Sequence, residues 1–270
     1  MPLLLALPLA VVLMLPLLVL IFLTTFQYRE IERETALDLG QSGSLLVSVA
    51  NVSGERILND YEDFYIVGRM FREGDVVTAY DNDALTAAQQ RFTGTTTFMP
   101  WAYPPPLTAA VALLPLAGLS WSYLLFMLGT LAIYLWTLSR FGGQFVGAGL
   151  LAVFPALLLV VRLGQNGMLT GALIGLILLV LSQGRKSTGI PLGFMMIKPH
   201  LAIGIGLVAL LQRRWVDIGI AFVIALTLCI VSTMILGWQV WPAFFDGVAA
   251  AGGFLQQGLF PLYRMSSVYA

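Results

Sequence analysis

Residues 189–211 read GIPLGFMMIKPHLAIGIGLVALL, an apolar stretch about as long as one membrane crossing, interrupted at its centre by Lys198-Pro199-His200. Its flanks decide how it is read. Arg185-Lys186 precedes it and Arg213-Arg214 follows it, and basic residues in short loops mark the cytoplasmic side of a membrane protein. Both clusters therefore belong on one side, which a single crossing does not allow. The stretch is expected to be two short helices, Gly189 to about Lys198 and Pro199 to about Leu211, that meet in a turn. Pro199 suits the first turn of the second helix, where its missing N–H costs nothing. Each half falls short of the roughly twenty residues of a full span, so the pair is expected to line a thinned or solvated cavity open to the outside.

Working outward, Pro2–Phe26, Leu119–Ser139, Phe145–Val161, Met168–Gln183 and Ile218–Val240 carry no charged residue. The chain is 59% hydrophobic and 10% charged, against about a quarter charged in soluble domains. Inside hydrocarbon each backbone polar group needs an internal partner, and long apolar runs meet that need as helices. The expected fold is all-α, a polytopic transmembrane helical bundle. Seven crossings are expected: an N-terminal anchor within 1–26, then helices near 121–139, 144–161, 168–183, 189–198, 199–211 and 216–236. The first run is too long for a secretory h-region and has no basic residue before it, so it reads as an uncleaved anchor. Lone Cys229 sits among Leu228, Ile230 and Val231 and reads as packing.

All acidic residues except Asp217 and Asp246 fall between Gln27 and Pro100. With the short basic loops inside, this long segment lies outside, and so do the loop Arg162–Gly167 and everything after Gly237. A full crossing at Pro105–Gly118 would invert every later loop. That segment is expected in the outer interface, amphipathic or re-entrant, entered at the bend Pro104-Pro105-Pro106. The chain then divides into an anchor (1–26), an extracytoplasmic loop with interfacial helices (27–118) and a transmembrane bundle (119–270). Zero formal net charge gives no sign of a nucleic-acid partner.

This orientation brings Asp63, Tyr103, Arg162, Gln165, Asn166, Lys198 and His200 to one side. Ionisable groups at the rim of a membrane cavity are costly unless they pair or bind something. Lys198, His200 and Arg162 form a set of donors suited to a phosphate. Plainer roles compete: Lys198 as a snorkelling side chain, His200 as a cap residue, Asp63 as a helix N-cap.

Asp63-Phe64-Tyr65 followed by an apolar helix and Gly74, Tyr80-Asp81, Trp101-Ala102-Tyr103-Pro104-Pro105, Leu163-Gly164-Gln165-Asn166, Lys198-Pro199 and Arg213-Arg214-Trp215 together resemble family 87 of the glycosyltransferases. These are membrane enzymes of GT-C type, typified by polyprenol-phosphate-mannose-dependent α-mannosyltransferases. The resemblance implies a polyprenyl-phosphate sugar donor, a lipid or glycan acceptor, and an active site on the extracytoplasmic face of the cell inner membrane, with the N-terminus cytoplasmic. It also implies a catalytic base in the first outer loop, by position Asp63. Lys198, His200 and Arg162 are then assigned to the donor phosphate, and Tyr103, Gln165 and Asn166 to the sugar or acceptor. Members usually continue through further spans, so the chain is expected to be C-terminally incomplete; the insert at 27–60 is a departure from the family.

No cofactor is expected. The less favoured alternative is a divalent cation held by oxygen ligands from Asp60, Glu62 and Asp81-Asn82-Asp83. A secondary transporter also uses broken helices, but the Lys198-Pro199 break has no counterpart elsewhere in the chain. A non-catalytic membrane scaffold is the third reading.

Overall fold

The structure is a computed structural model that describes residues 2–41, 58–94, 98–142, 145–184 and 186–256. Among the described residues it holds no strand and eleven α-helices: α1 (Pro2–Gln41), α2 (Asp60–Glu73), α3 (Asn82–Thr93), α4 (Pro105–Val111), α5 (Gly118–Gly142), α6 (Val146–Leu163), α7 (Gly167–Ser182), α8 (Gly189–Phe194), α9 (Pro199–Leu211), α10 (Trp215–Leu236) and α11 (Val240–Gln256). The chain is an all-α polytopic helical bundle. Among the described residues four segments are long and apolar enough to cross a membrane: Val12–Arg33, Pro105–Phe141, Val146–Leu163 and Trp215–Leu236. Helices α7 and α9 are apolar but shorter, at 16 and 13 residues. Helix α10 exposes Phe222, Val223 and Met234, an arrangement costly in water but neutral against lipid tails.

The break within 189–211 falls where the basic flanks place it. Helix α8 has six residues, is followed by a three-residue 3-10 turn, and gives way at Lys198 (φ −143°, ψ 74°) to α9, which starts on Pro199. Helix and turn together rise about 15 Å, about half of a hydrocarbon core of about 30 Å. Lys198 is thus held partway through the thickness of the bundle.

Contacts at the other end of this hairpin show why its two ends share a side. The Gly189 N–H donates to Asp217 Oδ1 at 3.3 Å, and Arg214 donates to Asp217 Oδ2 at 2.7 Å and to Thr188 Oγ1 at 3.2 Å. The buried Asp217 carboxylate so ties the start of α8 to the start of α10.

Helices approach closely where glycines repeat every fourth residue. In α7, a Cβ on Gly171 or Gly175 would lie 2.9 Å from the Tyr134 ring or 2.4 Å from Thr137 Cγ2 of α5. In α8, a Cβ on Gly189 would lie 2.1 Å from Asp217 O, and one on Gly193 would lie 2.6 Å from Ile224 Cβ of α10. Gly193→Leu is expected to lower stability by about 1–3 kcal/mol through overpacking. Gly204→Leu, at a helical glycine with nothing within 4 Å, should stay within about 0.5 kcal/mol of the parent. Thermal unfolding of the two variants in detergent checks this.

Three features differ from the sequence expectation. Helix α1 continues through Phe26 to Gln41, with Arg33 and Glu30 paired at 2.9 Å in its polar part. Residues 42–57 of the 27–60 insert lie outside the described residues. Helix α4 buries Pro105, Pro106, Leu107 and Thr108 and packs as a wedge on α2 and α10, and it opens a segment, Pro105–Phe141, that is long and apolar enough to cross a membrane, where no crossing was expected before Gly118. Helix α11 follows Gly237, where only an outer segment was expected, and sets Gly247 against Tyr80, where a Cβ would meet Tyr80 O at 3.1 Å.

Candidate functional site

Helix α2 begins earlier than the apolar pattern suggests. Asn59 is its N-cap: the Asn59 side chain accepts from the Glu62 N–H at 2.9 Å, and the Glu62 carboxylate accepts from the Asn59 N–H at 3.2 Å. This is a reciprocal capping box. Asp60 is therefore the first helical residue, and Asp63 lies one turn inside instead of at the cap. Three residues apart, the two carboxyl groups share a helix face.

Their surroundings differ sharply. Asp60 is half-buried, whereas Asp63 is 2% exposed and accepts a hydrogen bond from Gln89 Nε2 at 2.7 Å. Gln89, itself fully buried, also donates to Met99 O at 2.6 Å and accepts from the Met99 N–H at 3.1 Å. One side-chain amide thus joins α2, α3 and the segment that leads into Trp101 and Tyr103. Burial pushes the Asp63 carboxyl up to about 8; the Gln89 hydrogen bond opposes this and the nearby Asp60 charge adds to it. Near pH 7 Asp63 is a neutral acid.

The sign of the resulting pH dependence follows from linkage. The folded-state pKa lies above the ordinary 3.8, so the stability from burying the neutral acid is complete below about 4 and is lost as pH rises towards about 8. Asn cannot ionise. The melting temperature of Asp63→Asn minus that of the parent, measured pH by pH in detergent, should rise across this window and level off above it.

Tyr103 is positioned by a relay of hydrogen bonds. Trp101 Nε1 donates to Thr108 Oγ1 at 3.1 Å, Thr108 Oγ1 pairs with Tyr80 Oη at 2.8 Å, and Tyr80 Oη donates to Tyr103 O at 2.8 Å. The wedge helix α4 supplies Thr108 at the centre of this relay. Phe64 makes edge contacts with Tyr103 and Trp101 at centroid separations of 5.4 and 5.9 Å, and such pairs are worth about 0.5–1.5 kcal/mol each. Lys198 Nζ lies over the Tyr103 ring, 5.6 Å from its centroid, in reach of a cation–π attraction. The Asp60 carboxylate acts electrostatically on Lys198, on Tyr103 and on Asp63.

Asp60, Asp63, Tyr103 and Lys198 therefore meet where α2, the 101–104 segment and the α8–α9 break come together. Asp60 was considered from sequence only as a cation ligand; the capping signal Asn59-Asp60-Tyr61-Glu62 would have placed it at the head of α2. The loop 164–166 also reaches this region. Gly164 has φ +67° and presses on α2, where a Cβ would lie 2.4 Å from Tyr61 Cβ and 3.2 Å from Asn59 Oδ1. Behind it Asn166 is buried, and both its side-chain Nδ2 and Oδ1 lack a hydrogen-bond partner among the described residues. Gln165 is half-buried.

Arg162, on the last turn of α6, and His200, in the first turn of α9, are exposed. The Lys198 charge acts on His200. The proposed oxygen ligands have structural duties: Glu62 closes the capping box and Asp81 caps α3 by accepting from the Ala84 N–H at 2.8 Å. No group of three or more His, Cys, Asp or Glu side chains suited to a metal occurs among the described residues.

The pattern that defines glycosyltransferase family 87 matches residues 101–270, which include Tyr103, Asn166 and Lys198. No curated protein and no solved structure matches the chain. With the match spanning well over half its length, the chain belongs to glycosyltransferase family 87.

Proposed function

We propose that this membrane glycosyltransferase moves a sugar, mannose by the family resemblance, from a polyprenyl-phosphate donor to a lipid or glycan hydroxyl on the extracytoplasmic face, with inversion. The observation that carries the reading is the half-buried Asp60 carboxylate acting on Lys198 beside the Tyr103 ring. A single displacement needs a base for the acceptor, a charge to receive the leaving phosphate, and alignment of the two. Asp60 takes the proton of the acceptor hydroxyl as its oxygen bonds to the anomeric carbon. The bond from that carbon to the phosphate oxygen breaks, and the lipid phosphate leaves with the electron pair, stabilised by Lys198. Asp63, the base that the family resemblance implies by position, is buried, and its carboxyl is pushed up to about 8. In this reading it positions α2 and, through Gln89, the Tyr103 segment.

Tyr103 offers an aromatic face to the sugar, and the unpaired Asn166 amide offers a donor and an acceptor to its hydroxyls, with Gln165 beside it. Arg162 and His200 reach the phosphate only if the donor headgroup extends beyond Lys198. The basic turns at Arg140 and at Arg213-Arg214 face the cytoplasm in this orientation.

Membranes containing the chain, supplied with radiolabelled polyprenyl-phosphate sugar, should label a lipid or glycan acceptor. The reaction is proposed to need no divalent cation, so excess chelator should change the rate less than about twofold. Loss of activity in chelator with recovery on adding Mg²⁺ would overturn that part. Uptake of free sugar into liposomes without a lipid-linked donor would favour a transporter.

A further inference from the structure

An apolar groove of about 650 Å³ runs between α1 and α5 and is lined by none of Asp60, Tyr103 and Lys198. Leu15, Leu18, Phe22 and Leu23 of α1 form one wall and Leu124 of α5 the other, and Arg29 and Trp121 stand at its mouth. From Leu15 to Arg29 the helix rises about 21 Å. That matches half of a hydrocarbon core of about 30 Å plus part of the headgroup zone. Trp121 is half-exposed, and an exposed Trp at the end of a span sits at the membrane–water interface.

The charge at the mouth is positive. Arg29 holds its guanidinium over the Trp121 ring, 5.2 Å from the centroid, and makes no ion pair with a described residue. The neighbouring carboxylates are engaged: Glu30 pairs with Arg33 at 2.9 Å, and Glu32 accepts from the Leu119 N–H and from Ser120 Oγ at the head of α5. Ser120, also at the mouth, is thereby turned towards Glu32 and not towards a ligand.

We propose that this groove is a binding site for an anionic phospholipid of the bilayer, with one acyl chain between α1 and α5 and the phosphate on Arg29. Arginine fits the role because its planar fork binds phosphate oxygens in a bidentate way while stacked on an aromatic face. The apolar walls hold any chain of sufficient length, so selectivity resides in the head.

The test is lipid retention by the 270-residue chain, purified in detergent after reconstitution with equal amounts of phosphatidylglycerol and diacylglycerol of the same acyl chains, and read by native mass spectrometry. The parent should retain phosphatidylglycerol preferentially. Arg29→Gln should reduce that retention about fivefold, as expected for one basic residue near a membrane surface, and inorganic phosphate should not compete. Leu18→Trp, which fills the groove from a lipid-facing position, should remove the bound lipid while leaving the elution volume of the protein unchanged. Equal retention of the two lipids by the parent, or unchanged phosphatidylglycerol in both variants, would overturn the proposal. Displacement by inorganic phosphate would show an anion site without a lipid and would overturn it equally. The glycosyl-transfer assay is not part of this test, so the two readings stand or fall separately.

Discussion

Asp60→Asn is expected to lower sugar transfer about a hundred- to ten-thousand-fold, the range typical of one general base, while Asp63→Asn retains the rate within about tenfold. The contrast rests on how differently one helix face treats its two acids. Asp60 heads α2, half-buried and electrostatically coupled to Lys198, which is where the proposed acceptor hydroxyl would bind. Asp63 is sealed, and its Oδ1 accepts from Gln89. An amide at position 63 keeps that accepting oxygen and adds no charge, so it reproduces the neutral acid closely. An amide at position 60 has the same shape as the carboxylate but cannot take a proton. The measurement is the initial rate of label transfer in membranes with matched amounts of each variant. A large loss in Asp63→Asn with little change in Asp60→Asn would return the base to Asp63.

Position 63 also shows where reading the chain residue by residue stops. The Lys198-Pro199 break could be read because charge on both flanks admits one topology, and Asp217 joins the two ends that charge placed together. The difference in burial between Asp60 and Asp63 could not be read from the apolar run that follows them. What seals Asp63 is Gln89, 26 residues further on, and Gln89 is itself fixed by the backbone of Met99. No local pattern reports such a three-way junction. The helix start was legible, since Asn59 and Glu62 have the spacing of a capping box. Helix α11 was hidden for a different reason: Pro242, Asp246 and its glycines break the apolar run, and it gains stability by laying Gly247 on Tyr80. The wedge role of α4 likewise depends on Thr108 meeting Trp101 and Tyr80, partners that proline spacing does not announce.

Lys198→Met is expected to reduce kcat about a hundred- to a thousandfold with a small change in KM, the cost of losing one preorganised group that stabilises charge growing in the transition state. Methionine keeps most of the apolar stem, so the packing over Tyr103 survives and only the ammonium is lost. The competing role for Lys198, a chain that snorkels its charge towards water, predicts otherwise. A snorkelling lysine can be replaced by an apolar residue in a membrane site with little effect on rate, and usually with a gain in stability. The setting favours the catalytic role: Lys198 is held partway through the bundle by the short α8, over an aromatic ring and under the influence of Asp60. A charge kept at that depth is costly unless it serves a ligand or a partner. Lys198→Arg separates position from charge. It restores the positive group with a longer, planar head, so it should recover part of kcat if a leaving phosphate is what the site stabilises. If both variants transferred sugar at the parent rate, the leaving phosphate would have to be stabilised elsewhere, and the exposed Arg162 and His200 would be the next to replace.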